Sequence, residues 1–366
     1  MGFFSSKTHH TLRDGRTITF INKSSAQAIT IQAITNAARS AAATSKIATT
    51  LPALTFILED YLRSHFQSKG VACVYQKEVE QGLLAIHIAA RDIEERAIAN
   101  ILRTHTINVP REELTKKQFK QKFFSNPDNT NAYLHDVTLL TKQKVIHECT
   151  HLAHYFHGIL GSLKNILPRL TRHVQEHIPN DPAKWREHGI DQLRMLITHF
   201  FINIFAEGLA RFIDREESGK IAFTHADFSY LYLLAEEKAK QVRDELNALL
   251  RQRTYELNAG IKAGDVQANQ KAFINRLARW KEVSHTASYD IGLHAVHAIL
   301  MTLQTPLRHL FTLSHLRFVA TYEKAMQVYG ESPIITLKNQ SGILVYQDLL
   351  STLTEFAHQH NLFKQT

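Results

Sequence analysis

Residues 144–156 read KVIHECTHLAHYF and contain the spacing His-Glu-x-x-His at His147, Glu148 and His151. Positions i and i+4 share one face of an α-helix, so the two imidazoles can bind a single metal ion. Uncharged residues without proline surround the motif, and this pattern predicts a buried helix. Glu148 follows His147 directly, where it can accept a proton from a water molecule beside the ion. The stretch therefore predicts a zinc site with a general base.

The abundance of histidine means that the motif needs support from elsewhere in the chain. There are 22 histidines among 366 residues, so this spacing arises by chance in roughly one such sequence in ten. The alternative interpretation is a buried helix whose histidines are incidental. A zinc site normally has a third protein ligand, and finding one distinguishes the two interpretations.

One candidate for the third ligand is His157, six residues after His151. The metzincin pattern places its last histidine there, but His154 occupies the position of the glycine that turns the chain in that pattern. Without this glycine we expect the helix to continue. His157 would then lie about 15 Å along the axis from His147, and His154 would also lie too far along it to share the ion.

The favoured candidate is Glu207, which lies in an apolar segment that predicts a separate helix. The small residues Gly208 and Ala210 permit that helix to approach the motif helix closely. A carboxylate among apolar residues needs a partner, and a metal ion is the strongest one available. The alternative places Glu207 at the solvent edge of its helix, paired with Arg211 at i+4.

The segments His147-Glu148-x-x-His151 and Glu207-Gly208-Leu209-Ala210 together resemble the gluzincins, a group of zincin-like zinc metallopeptidases. In several of those families a Glu-Gly-x-Ala segment supplies the third ligand. The segment Tyr289-x-x-Gly292 is similar to a Tyr-x-x-Gly helix often found after it. The resemblance covers about residues 147–300 and does not extend to the first 130 residues.

The resemblance implies that the chain hydrolyses peptide bonds with one Zn²⁺ per chain, bound by His147, His151 and Glu207. It implies Glu148 as the general base. The same resemblance places Tyr289 and His294 on a helix near the site, which makes Tyr289 the first choice and His294 the second as donor to a tetrahedral oxyanion.

The sequence departs from the resemblance at one position. Relatives of thermolysin often have an aspartate four residues after the third ligand, which orients a ligand histidine. Arg211 stands at that position here, and Asp214 follows it by three residues. The residue that orients the ligand histidines therefore stays open.

The predicted fold class is α+β and mostly helical, with a small N-terminal sheet packed on the motif helix, as in zincins. We expect an N-terminal α/β part at 1–135 and a helical part at 136–366 that form one compact catalytic unit. Short β-rich runs predict a strand at 17–21 and a hairpin from 71–75 and 83–88. Helical patterns and capping residues predict the remaining elements, which include helices at 25–45, 52–70, 92–103, 110–124, 141–158, 158–177, 189–218, 224–250, 288–300, 313–329 and 345–358, and a loop at 126–131. The predicted helix starts include Ser24 or Ser25, Thr141, Thr224 or Asp227, and Ser288.

Charge and sequence motifs bear on the functions that the chain could have other than peptidase activity. The net charge of +9 permits attraction to nucleic acid, but charges of both signs are mixed along the chain and no nucleic-acid-binding signature is present. A basic helical nucleic-acid-binding protein and a zincin-like binding or scaffold protein without activity are the alternatives to a peptidase. The expected partner is a peptide or protein substrate, whose identity the sequence does not predict, nor does it predict the oligomeric state.

Two features predict the compartment. Only two cysteines are present, and one lies inside the motif, so a disulfide framework is not expected. The N-terminus lacks the apolar core of a secretory signal, and the apolar window 195–205 contains polar residues that argue against a membrane span. These features predict a cytoplasmic protein without a transmembrane helix, with export by a signal-independent route left open.

Overall fold

Five strands near the N-terminus form a mixed sheet, and most of the remaining chain is helical. The structure, a computed structural model, describes residues 6–62, 71–75, 78–79, 81–104, 116–157, 182–221, 224–258, 263–338 and 341–351. Its helix content and small N-terminal sheet confirm the predicted α+β class. The chain divides into two units, Met1–Phe156 with Ile213–Ser218, and His157–Phe212 with Gly219–Thr366.

The first unit contains the sheet and the motif helix. Its elements in chain order are β1 (Ser6–Thr11), β2 (Thr17–Asn22), α1 (Ala28–Thr44), β3 (Ala53–Glu59), β4 (Ala72–Cys73), β5 (Ala85–Ala89), α2 (Ala90–Thr104), α3 (Lys116–Phe124) and α4 (Pro127–His157). The predicted boundary between the N-terminal α/β part and the helical part, at residues 135 and 136, lies inside α4.

The sheet has the strand order β1-β2-β3-β5-β4. Its three inner strands, β2, β3 and β5, are parallel, while the edge strands β1 and β4 run antiparallel to their neighbours. Phe20 and Phe56 stack at 5.1 Å between ring centroids on one face. Helix α1 lies over that face, where Ile31 lines a cleft of about 490 Å³ together with Phe20 and Leu58.

A buried ionic network holds the helices of the first unit together. The carboxylate of Glu94 is fully buried and accepts hydrogen bonds from the Gln27 amide at 2.9 Å and the Thr30 hydroxyl at 3.0 Å. Its other oxygen pairs with Lys120, and the Thr30 and Tyr133 hydroxyls lie 2.5 Å apart. Glu94 therefore links α2 directly to the start of α1 and to α3, and the Thr30 hydroxyl extends the network to Tyr133 on α4.

The structure confirms some predicted elements of this unit and corrects others. The strand at 17–21 and the hairpin are present, and Gly82 has the positive φ of 81° that its turn needs. The predicted helix from residue 52 is wrong, because 53–59 form the central strand β3. A strand buried on both faces reads as a continuous apolar run, so helical spacing can be found in it by chance.

Three predicted helix boundaries in this unit are also wrong. The 126–131 segment is not a loop, because α4 begins at Pro127 and the Asn126 side chain accepts a hydrogen bond from the Asp128 amide at 2.9 Å. Thr141 is therefore a buried residue inside α4 and not its N-cap. Ser24 and Ser25 do not cap α1, since both bind Asp60 at the end of β3 instead.

The second unit is built from long helices. Its elements are α5 (Pro182–Glu217), whose last residues belong to the first unit, α6 (His225–Asn258), α7 (Ala263–Leu303), α8 (Leu307–Leu310), α9 (His315–Tyr329), and the parallel pair β6 (Ile335–Thr336) and β7 (Leu344–Val345). Thr224, one of the two predicted starts of this helix, caps α6 and accepts a hydrogen bond from the Asp227 amide at 3.1 Å. Ser288 is not a cap, because it lies within the continuous helix α7 and donates to the His285 carbonyl. The predicted helix 158–177 lies outside the described residues.

Helices α5 and α7 cross in backbone contact at a pair of glycines. A Cβ atom on Gly208 would lie 2.3 Å from the carbonyl carbon of Gly292, and one on Gly292 would lie 2.0 Å from the Ile204 carbonyl oxygen. No other residue fits either position without displacing a helix. The sequence suggested that Gly208 permits close approach to the motif helix, whereas the backbone nearest to Gly208 is that of Gly292 on α7.

One segment of α5 has the length and apolar character of a membrane span. It covers Leu196–Glu217, and 72% of its apolar window is buried inside the protein. Core helices have the same composition, and the extent of burial agrees with the predicted buried helix at 189–218.

Candidate metal centre

Helix α4 brings the two motif histidines together. The Nε2 atoms of His147 and His151 lie 3.3 Å apart, and the His147 side chain is 4% exposed. Two nitrogen ligands of a tetrahedral Zn²⁺, each at 2.0–2.1 Å, are separated by about 3.3 Å. The spacing of these two nitrogens therefore fits two ligands of one zinc ion.

Asp214 supports His147 from the opposite side of the ring. Its Oδ2 lies 3.1 Å from His147 Nδ1, and both side chains are buried. A carboxylate at Nδ1 keeps the proton on that nitrogen, which leaves the Nε2 lone pair to bind a metal. The orienting residue that the sequence analysis left open is therefore Asp214, three residues beyond the position where the thermolysin relatives have an aspartate.

The last turns of α5, which carry Asp214, are fixed to the first unit. The Glu217 carboxylate accepts hydrogen bonds from the Ser45 hydroxyl at 3.1 Å and the Lys46 amide at 3.0 Å, just after α1. Lys46 also pairs with Glu216 at 3.2 Å. These contacts hold the helix end in place, so Asp214 can maintain a fixed orientation of His147.

Glu207 lies two turns before Asp214 on α5, and residues seven apart occupy nearly the same helix face. One ligand atom from each of His147, His151 and Glu207 lies within 4.8 Å of the others. Across the described ranges, no other group of three histidine, cysteine or acidic side chains meets this condition. The three predicted ligands thus form a group that can hold a metal ion.

Glu148 is buried, with 8% of its surface exposed, and its charge acts on the cysteine within the motif. Burial is the main cause that raises the pKa of Cys149, and the negative charge of Glu148 raises it further. Cys149 therefore stays a neutral, enclosed thiol. The motif presents imidazole and carboxylate groups, not a thiolate, to an ion.

The other motif histidines occupy positions that agree with the expectation from helix geometry. Helix α4 continues without interruption through His154 to His157, which places the backbone of His157 about 15 Å along the axis from His147. His154 is almost fully buried, and burial, followed by the neighbouring His151, lowers its pKa to about 3. His154 is therefore a neutral core histidine at physiological pH.

The two predicted oxyanion donors lie on α7. Tyr289 makes an edge contact with His285 at 5.3 Å between ring centroids. His294 is fully buried, and among the residues described neither of its ring nitrogens has a hydrogen-bond partner. Burial, then the charge of His297, lowers its pKa to about 3. The catalytic roles of Tyr289 and His294 stay predictions.

Comparisons with known proteins found no relative of this chain. No family model and no curated protein matches the sequence, and no solved structure matches the fold. The similarity to gluzincins therefore depends on the motif segments and on the geometry of the metal centre.

Proposed function

We propose that the protein is a zinc-dependent metallopeptidase with a zincin-like fold. The observation that carries this proposal is the pair of Nε2 atoms at 3.3 Å, with the Asp214 carboxylate behind His147. Without an ion, the same two nitrogens form a hydrogen bond, so the support for a metal comes from the spacing together with the carboxylate behind one ring. Glu207 is the proposed third ligand.

In the proposed reaction, the zinc ion and the protein side chains have separate roles. Zinc bound at this centre would polarise the scissile carbonyl and lower the pKa of a water molecule towards about 7. Glu148 accepts the proton of the attacking water and delivers it to the leaving amine. Its burial limits competition from solvent, which strengthens the interaction of the carboxylate with that proton. Asp214 stabilises the orientation of His147 throughout.

The tetrahedral oxyanion requires a donor on the chain, and Tyr289 is the proposed one, with His294 as the second candidate. The proposed substrate is a peptide or protein, and the proposed location is the cytoplasm. Neither the length nor the sequence of the cleaved peptide follows from the site.

Metal content tests the proposal directly. Elemental mass spectrometry of purified wild type should find zinc, with about one equivalent lost in Glu207→Ala and none lost in His157→Ala. Circular dichroism checks that both variants fold. Loss only in His157→Ala would replace the gluzincin arrangement with a metzincin-like one, and a wild type that takes up no zinc after reconstitution would overturn the proposal. Zinc without hydrolysis of any member of a peptide library would favour a binding or scaffold protein.

A further inference from the structure

A stripe of polar side chains runs along α5 and includes Glu207. Between residues 196 and 211 this helix is buried around most of its circumference. Residues spaced four apart are half-buried there and form one face, and these are His199, Asn203, Glu207 and Arg211, with Thr198 beside them. The open face of this part of α5 is therefore entirely polar, and the proposed metal ligand is part of it.

Helix α7 carries a second stripe with the same spacing. Lys281 and Tyr289 are half-buried, and His285, between them, is exposed. The rings of His285 and Tyr289 meet edge to face at 5.3 Å between centroids. Residues spaced four apart share one helix face, so an ammonium group, an imidazole and a phenol lie in a row on α7.

Packing contacts place the two stripes side by side. Phe200 on α5 meets Trp280 on α7 at 6.1 Å between ring centroids, and the glycine pair that joins the two helices lies further along both of them. Both contacts advance in the direction of the chain, so α5 and α7 run parallel here. His199 and Lys281, each next in sequence to one of the contacting rings, therefore lie at the same end of the stripes. Glu207 lies at the other end.

His199 is a neutral hydrogen-bond donor in this arrangement. Burial, then the charge of His285, lowers its pKa to about 4, while the Glu207 carboxylate opposes the change and Lys281 adds to it. The side-chain nitrogen of Asn203 lies 3.2 Å from His199 Nδ1. An amide nitrogen can only donate, so Nδ1 accepts and the proton of the neutral ring lies on Nε2.

Lys281 is a half-buried cation, and within the described ranges no acidic side chain forms an ion pair with it. Burial lowers its pKa. Two other cations of α7, Arg276 and Arg279, differ in this respect, because their guanidinium groups approach Glu245 at 3.9 and 2.8 Å. Removing an ammonium group from water costs free energy that an anion can offset. The environment of Lys281 therefore favours an anionic ligand.

We propose that Lys281 and His199 bind a carboxylate of the substrate, which makes peptides with a carboxylate a few residues from the cleaved bond the preferred class. This inference depends on the proposed peptidase function. Lys281 supplies the charge, and His199 Nε2 donates a second hydrogen bond. His199 precedes Glu207 by eight residues, or about 12 Å along α5, a distance that an extended peptide spans with about three or four residues. The carboxylate belongs either to the C-terminus of the peptide or to an acidic side chain.

Hydrolysis of peptide libraries tests this preference and separates the two sources. The libraries are random neutral octapeptides with an amidated end, the same peptides with a free C-terminus, and amidated peptides with one glutamate at each position in turn. Wild type should cleave one of the carboxylate-bearing sets with a kcat/KM about 10- to 100-fold above the neutral set. Lys281→Met should remove most of that preference, and Lys281→Arg, which keeps the charge, should retain most of it. Lys240→Met, on the exposed face of α6 where Lys240 pairs with Glu236, is the matched control.

Binding provides a readout that does not require hydrolysis. Full-length Glu148→Gln protein, mixed with the same libraries and separated by ultrafiltration, should retain carboxylate-bearing peptides over neutral ones, as identified by mass spectrometry. The double variant with Lys281→Met should lose this selectivity, and circular dichroism verifies that it folds. No retention, equal retention of both sets, or a preference that survives Lys281→Met would overturn the inference. Selective retention without hydrolysis by wild type would instead overturn the peptidase proposal and leave the carboxylate site in place.

Discussion

The histidines of α4 and the buried histidine of α7 have similar burial but different surroundings. His147 is 3% exposed and pairs with the Asp214 carboxylate, while His294 is fully buried beside the rings of Phe228, Tyr232 and Tyr322 at 5.1, 5.4 and 5.6 Å. A carboxylate supports a histidine that binds a cation, whereas enclosure by rings favours the neutral imidazole. Burial and helical spacing alone therefore do not distinguish a ligand from a core residue.

The largest expected effect comes from Glu148, the proposed general base beside His147 and His151 on α4. Glu148→Gln should lower peptidase activity by about 10²- to 10⁴-fold, because the amide cannot accept the proton of the attacking water. Zinc content should stay at the wild-type level, since Glu148 is not a proposed ligand. Glu236→Gln, on α6, is the matched control and should retain activity. Full activity in Glu148→Gln would contradict the proposed mechanism.

The Asp214 carboxylate is the feature that His294 lacks, so removing its charge should make the two environments more alike. Asp214→Asn should weaken zinc binding by about 10- to 100-fold, because the amide supports the ligand histidine less strongly. Competition with a chromophoric zinc chelator measures this change. Asp227→Asn at the start of α6 provides the control. Unchanged affinity would show that Asp214 has only a structural role.

Acid should destabilise the fold through His294. Its pKa is about 3 in the folded protein and about 6.5 when unfolded, so as the pH falls below 6.5 the unfolded chain binds a proton that the folded protein does not. The free energy of unfolding should therefore fall by about 2 kcal/mol between pH 7 and pH 5 on account of this group.

Urea unfolding of wild type and His294→Leu at both pH values isolates that contribution. Both proteins keep the proposed ligands His147, His151 and Glu207, so any acid sensitivity of the proposed metal centre cancels in the difference. Wild type should lose about 2 kcal/mol more than the variant. An equal loss in the two proteins would mean that His294 is accessible to protons in the fold.

The smallest expected effect is the change in peptidase activity of His294→Leu. Because aromatic rings enclose His294, His294→Leu should keep its activity at neutral pH within about threefold of wild type. A loss of about 10²- to 10³-fold would instead identify His294 as an oxyanion donor, as the gluzincin resemblance suggested. Tyr289→Phe, assayed in parallel, tests the first candidate for that role.

The sequence predicted those elements whose signals are local. Short β-rich runs identified β2 and the hairpin of β4 and β5, and Thr224 was one of two residues predicted to start α6. Prediction failed at β3, because its apolar residues also fit the spacing of a helix. It also failed at Thr141 and Ser288, where cap-forming residues lie inside long helices because tertiary packing outweighs their local preference.

The metal centre likewise has features that local sequence predicts and one that depends on tertiary contacts. The i, i+4 spacing of His147 and His151 and the carboxylate at Glu207 are properties of the chain, because helix geometry and the cost of burying a charge follow from residue types. The sequence could not assign the orienting role to Asp214, since it depends on a contact between residues 67 positions apart.

By itself, the sequence determined the α+β class, the motif helix and the three candidate ligands, since each follows from periodicity, composition or spacing within a short segment. Only the tertiary structure decided that Asp214 orients His147, that Gly208 meets Gly292, and that His294 is surrounded by rings. These facts depend on which distant elements come into contact. Such contacts follow from the packing of the whole chain, which local residue patterns do not encode separately.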